Sequence, residues 1–122
     1  MGLDCYASRS QDDVELTEDD ERAFEGAGLS LCGGIFSGSE SSFRGKVYSL
    51  LVWKATGIDI GENLTPEQTA DLSRRLDLLS AEQLSEMSAS STYGQYSPEV
   101  CASLQRFFRI CAERGLGLVA CS

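Results

Sequence analysis

Histidine is absent from the 122 residues of this chain. That removes Ser-His-Asp and Cys-His nucleophile systems, together with zinc, haem and non-haem iron sites that depend on an imidazole. The five cysteines, Cys5, Cys32, Cys101, Cys111 and Cys121, include no CxxC pair, so an all-cysteine zinc site lacks its spacing as well. No apolar run approaches the roughly 18 residues needed to cross a bilayer, and membrane partners are not expected. Positive charge is also scarce: ten Lys and Arg stand against 19 Asp and Glu, a net charge of −9. Nucleic-acid binding needs Lys and Arg at the phosphates, so no nucleic acid is expected as a partner.

What is present suits one domain spanning residues 1–122. The length supports a core without disulfides or a structural metal, and 42% hydrophobic content supplies it. The start, Met1-Gly2-Leu3-Asp4-Cys5-Tyr6, has neither the basic nor the apolar stretch of a signal peptide. Tyr6 stands where a myristoylation motif requires Ser or Thr. With an odd number of cysteines, these features predict a cytoplasmic, unlipidated protein whose thiols stay reduced and mostly pack as small hydrophobes. Redox sensing at Cys32, beside the glycines, is the competing use of a thiol.

The acidity is unevenly spread. Residues 1–25 hold nine carboxylates against Arg9 and Arg22, or −7, which leaves −2 for the other 97 residues. An acidic flank on a nearly neutral body attracts basic partners. Asp12, Asp13, Glu18, Asp19, Asp20 and Glu21 are the candidate interface residues there. Tyr93 and Tyr96, in the polar loop over 88–97, are added because exposed tyrosines favour interfaces.

Local patterns predict an α+β fold, mostly helical, with about five helices and two to four short strands. Residues 3–6 read as a strand, and Val14-Glu15-Leu16 as another. Thr17 N-caps a short acidic helix that Gly26 stops. Leu29 to Cys32 reads as a strand broken by Gly33-Gly34. Ser41 or Ser42 is expected to cap a helix over about 43–56, with Phe43, Val47, Leu50 and Leu51 on one face, Trp53 beside them and Tyr48 and Val52 opposite. A helix apolar on most sides is expected to be the central one. Thr65-Pro66-Glu67-Gln68 and Ser80-Ala81-Glu82-Gln83 are capping boxes. Ser97-Pro98 starts the last helix, which carries Cys101, Leu104, Phe107, Phe108 and Cys111 on one stripe and ends at Gly115. Leu116 to Cys121 completes the chain as a strand that can pair with the first.

One segment suggests ligand chemistry. Residues 30–57 run from a Gly/Ser-rich loop into an apolar helix with Arg44 and Lys46 at its start. Unpaired N–H groups, a positive dipole end and two cations together make an anion nest. Its candidate residues are Gly33, Gly34, Ser37, Gly38, Ser39, Ser41, Ser42, Arg44 and Lys46. It is not a Walker A loop, because six residues separate Gly38 from Gly45 and Val47 follows Lys46. Nor does Asp59-Ile60-Gly61-Glu62-Asn63 make a calcium loop, since Leu64 and Ala70 occupy the required Gly and Glu positions. No catalytic constellation, metal site or cofactor site is expected.

The Met-Gly-Leu-Asp opening, Leu31-Cys32-Gly33-Gly34-Ile35-Phe36 and Ser42-Phe43-Arg44-Gly45-Lys46-Val47-Tyr48 resemble segments of small uncharacterised bacterial proteins. The resemblance covers about a fifth of the chain and implies a bacterial cytoplasmic setting without an activity. These observations lead to an expected non-enzymatic binding or regulatory protein, acting through a protein partner or a homo-oligomer. The alternative is a protein or enzyme that binds a phosphate- or nucleotide-type ligand in loop 33–46.

Overall fold

A computed structural model of the chain describes residues 3–32 and 41–121. They form an α+β arrangement in which helices cover a three-stranded antiparallel sheet. In chain order the elements are β1 (Asp4–Ser8), α1 (Glu18–Glu25), β2 (Ser42–Arg44), α2 (Gly45–Thr56), α3 (Pro66–Leu76), α4 (Ala81–Met87), α5 (Pro98–Arg114) and β3 (Gly117–Cys121). A 3₁₀ turn at Ser88–Ser90 follows α4.

Four of the five expected helices form with their expected N-caps, Thr17, Thr65, Ser80 and Ser97. Thr65 and Ser80 each accept from the backbone N–H three residues on, and Gln68 and Gln83 bond back to the cap N–H. Each box satisfies donors that a helix cannot satisfy internally. Gly57 and Gly115 end α2 and α5 in the left-handed conformation, at φ 76° and 67°, where a Cβ would be strained.

β1 is the central strand, with β2 on one edge and β3 on the other. Its pairs run from Asp4 opposite Arg44 to Tyr6 opposite Ser42, and from Asp4 opposite Cys121 to Ser8 opposite Gly117. The two terminal strands thus pair, as expected. The other strand expectations fail. Val14–Leu16 and Leu29–Cys32 form no strand; Arg9 N–H bonds instead to the Glu15 carbonyl at 2.8 Å. Nor do Ser41 and Ser42 cap α2. Ser42 belongs to β2, and the helix begins at Gly45 after Arg44, which makes no side-chain cap bond. Sheet pairing with Asp4–Tyr6 wins over local capping because it satisfies the backbone and buries Phe43 completely.

The central helix is α5 rather than α2. It packs on α1, α3 and α4 and buries Cys101, Leu104, Phe107, Phe108 and Cys111, the stripe read from the sequence. Phe107 lies 5.0 Å from Phe24 of α1 and 4.9 Å from Phe43 of β2, ring centre to ring centre, tying helix layer to sheet. α2 is buried on one side only. Tyr48, Leu51 and Val52 are buried, whereas Leu50 and Trp53 are 49% and 55% exposed. Apolar character all round a helix does not say which side meets the core; the contacts of α2 with β1, α3 and α4 decide it.

Candidate functional site

The acidic flank begins in a loop tied to the end of β1. The Ser8 hydroxyl lies within hydrogen-bonding distance of the Asp13 and Glu15 carbonyls and accepts from Glu15 N–H at 2.9 Å. Thr17 then opens α1 with a capping box whose third residue is Asp20: Asp20 N–H donates to Thr17 Oγ1 at 3.2 Å, and Thr17 N–H donates to Asp20 Oδ2 at 3.0 Å.

Asp20 is the anchor of this region. Its side chain is fully buried, a rare location for a carboxylate unless it is paired. Arg9 grips it with both arms of its fork, Nε to Oδ2 at 2.6 Å and a terminal nitrogen to Oδ1 at 2.7 Å. Arg114, at the last turn of α5, donates Nε to Oδ1 at 2.7 Å. One carboxylate therefore joins β1's exit, α1 and the end of α5. The Arg9 hydrogen bonds, followed by the Thr17 and Arg114 bonds, hold the Asp20 carboxyl well below the usual carboxylate range and outweigh its burial. Phe24, one turn along α1, is buried against Phe107.

Asp20 is accordingly not an interface residue, contrary to the sequence reading. Its neighbours are different: Asp12, Asp13, Glu15, Glu18, Asp19, Glu21 and Glu25 are all exposed. Arg22 is exposed among them and pairs loosely with Glu18 and Asp19, at 3.6 and 3.5 Å. The surface is strongly acidic and is held to the body by buried Asp20 and its two arginines beneath it.

The two tyrosines separate in the same way. Tyr93 is 49% exposed, as an interface residue requires. Tyr96 is 8% exposed; its hydroxyl donates to the Val47 carbonyl and accepts from Ser91 Oγ at 2.9 Å. Its ring meets Tyr48 edge-on at 5.4 Å. It folds back onto the core and leaves the interface set.

Of the predicted anion nest, Gly33, Gly34, Ser37, Gly38 and Ser39 lie outside the described residues. Ser41 and Ser42 are buried in and beside β2, while Arg44 and Lys46 are exposed at the head of α2. Lys46 N–H is already taken by the Leu3 carbonyl at 3.3 Å. Both cations are therefore exposed, while Ser41 and Ser42 are withdrawn from solvent.

Other arginines are engaged on the surface of the helices. Asp71 pairs with Arg74 and Arg75, and Asp77 receives the Arg109 fork at 3.1 and 3.2 Å. Arg114 chooses Asp20 rather than Glu113, and Arg106 donates to the Ala27 carbonyl at 2.6 Å. Cys5, Cys101 and Cys111 are buried; burial pushes the Cys5 thiol up to about 12 and the Cys101 thiol to about 11. Cys32 and Cys121 are exposed. Among the described residues no cluster of three Cys, Asp or Glu is placed to hold a metal ion, and no helix is long and apolar enough to cross a membrane.

Sequence composition could not single out Asp20 from the Asp/Glu run at 18–21. Its signal was positional: it stands three residues after the N-cap Thr17, where a capping box turns a side chain inward. No protein-family model, curated protein or solved structure matches this chain.

Proposed function

We propose that this protein is a non-enzymatic binding protein that docks a basic protein partner on the exposed carboxylates of residues 12–25. The observation that carries the reading is the Arg9–Asp20–Arg114 clasp beneath them. An unanchored acidic tail would lose conformational freedom on docking. A face already fixed by β1, α1 and α5 presents its charges in one arrangement and loses less. Seven exposed carboxylates around one arginine create the one-signed field that steers a cationic surface to it.

The test is in-cell cross-linking followed by quantitative mass spectrometry. It compares the full chain with a variant carrying Asp12→Asn, Asp13→Asn, Asp19→Asn and Glu21→Gln, which leaves Asp20 intact. A basic protein is expected to be captured by the wild type, to be lost from the variant, and to dissociate steeply as salt rises. Equal capture by both chains, or a complex indifferent to salt, would overturn the reading.

A further inference from the structure

α1 and α5 run antiparallel: Asp20 meets Arg114, Phe24 meets Phe107, and Ala27 meets Arg106. One side of this seam is the aromatic core. The other opens as a cleft of about 440 Å³, within the range of small-molecule sites. The cleft has two kinds of wall. Ala23, Ala27 and Ile110 supply an apolar strip, and Arg106, Arg109 and Arg114 supply guanidiniums. The α5 residues recur at spacings of three and four, so they form one face of the helix.

The three arginines are not equally engaged. Arg109 directs its fork at Asp77 and is neutralised. Arg114 uses only Nε, and it shares Asp20 with Arg9, so two cations face one carboxylate. Arg106 has a backbone carbonyl, that of Ala27, as its sole hydrogen-bond partner among the described residues, and no described carboxylate lies within ion-pair distance of it. Its Nε and second terminal nitrogen are uncommitted, and the Ala27 bond fixes the guanidinium at the cleft wall. An oriented, half-buried cation without a counter-ion, next to an apolar strip, complements an organic anion. Glu113 stands at the same cleft, exposed, and repels a second negative charge.

We infer that the α1–α5 cleft binds a small organic monocarboxylate, with its carboxylate on Arg106 and its apolar body on Ala23, Ala27 and Ile110. The backbone N–H groups of Gly26 and Ala27 bond to the Arg22 and Phe24 carbonyls, so recognition rests on the guanidiniums. The site shares α1 and Arg114 with the clasp, but its argument does not depend on the acidic-face reading.

Benzoate, benzamide and inorganic phosphate serve as probes, titrated into the full-length ¹⁵N-labelled chain. Benzoate is expected to shift the amides of Ala23, Ala27 and Ile110 saturably in the millimolar range. Benzamide, the same shape without the charge, should bind at least tenfold more weakly, and phosphate should bind more weakly than benzoate. Arg106→Gln should weaken benzoate at least tenfold, while Arg106→Lys restores part of the loss. The wild-type comparison of benzoate with benzamide stands even where Arg106→Gln disturbs the fold. The inference is overturned by any of four results: no benzoate shift, equal binding of benzamide, phosphate binding as tightly as benzoate, or shifts centred on Arg44 and Lys46.

Discussion

Asp20→Asn tests the clasp with almost no change in volume. The carboxylate accepts four hydrogen bonds, two at Oδ1 from Arg9 and Arg114 and two at Oδ2 from Arg9 and Thr17 N–H. An amide has one acceptor end. Whichever way it is turned, its NH₂ group faces two donors, so two of the four bonds are lost. Two guanidiniums also lose their counter-charge. Breaking a buried ion pair from one side costs about 3–5 kcal/mol. Arg9 and Arg114 are 41% and 32% exposed and can recover water, which places the cost near the lower end, about 3 kcal/mol. With an urea slope of roughly 1–3 kcal/mol per molar for a small domain, the midpoint should fall by about 1–3 M. The variant should also show a flatter acid limb. Because the folded carboxyl titrates below its unfolded value, its contribution is complete above the ordinary carboxylate pKa near 4 and is lost as pH falls further. Urea denaturation followed by circular dichroism, repeated from neutral to acid pH, measures both effects. A cost below about 1 kcal/mol, or an unchanged acid limb, would refute the account of Asp20 as the anchor.

Three further outcomes follow from the fold. Gly45→Ala places a methyl against Cys5 Sγ and Leu3 at the junction of β1 and α2; overpacking of this kind costs about 1–3 kcal/mol, read as a lower thermal midpoint. Thr65→Ala removes the hydroxyl half of the α3 capping box and should cost about 1 kcal/mol, with Thr65→Ser restoring most of it. Ellman's reagent at neutral pH should label Cys32 and Cys121 in the native chain and reach Cys5, Cys101 and Cys111 only after denaturation; rapid native labelling of three or more thiols would contradict the burial.

The helices were legible because their signals are local. Thr65, Ser80 and Ser97 announce starts through their own side chains, and Gly57 and Gly115 announce ends through a conformation other residues avoid. The α5 stripe was legible because a period of 3.6 sorts Phe107, Phe108 and Cys111 from Arg106 and Arg109. β2 was not, because three residues hold no period and Ser41-Ser42 carries a capping signal that the distant pairing with Asp4–Tyr6 overrides. The apolar surround of α2, Leu50 and Trp53 included, misled for a related reason: hydrophobicity does not record which neighbours arrive. At the candidate site, the acidic character of residues 12–25 was visible in composition, but the inward turn of Asp20 depended on Arg9 and Arg114, the latter 94 residues away.

β1 sits between β2 and β3, so the middle of the sheet is made first and its outer partner last. Translation delivers the chain from its amino end, and Cys121, the partner of Asp4, leaves the ribosome after every helix. Until then β1 has an unsatisfied edge, and Arg114, which closes the clasp on Asp20, is equally late. Nascent chains therefore pass through a stage with α1 to α4 synthesised and an open strand exposed, a template for pairing with another chain. Closure between Asp4 and Cys121, far apart in sequence, is also a slow kind of contact to form. Stalling synthesis before α5 is complete should yield a species prone to aggregation, whereas a chain that includes β3 carries its own remedy.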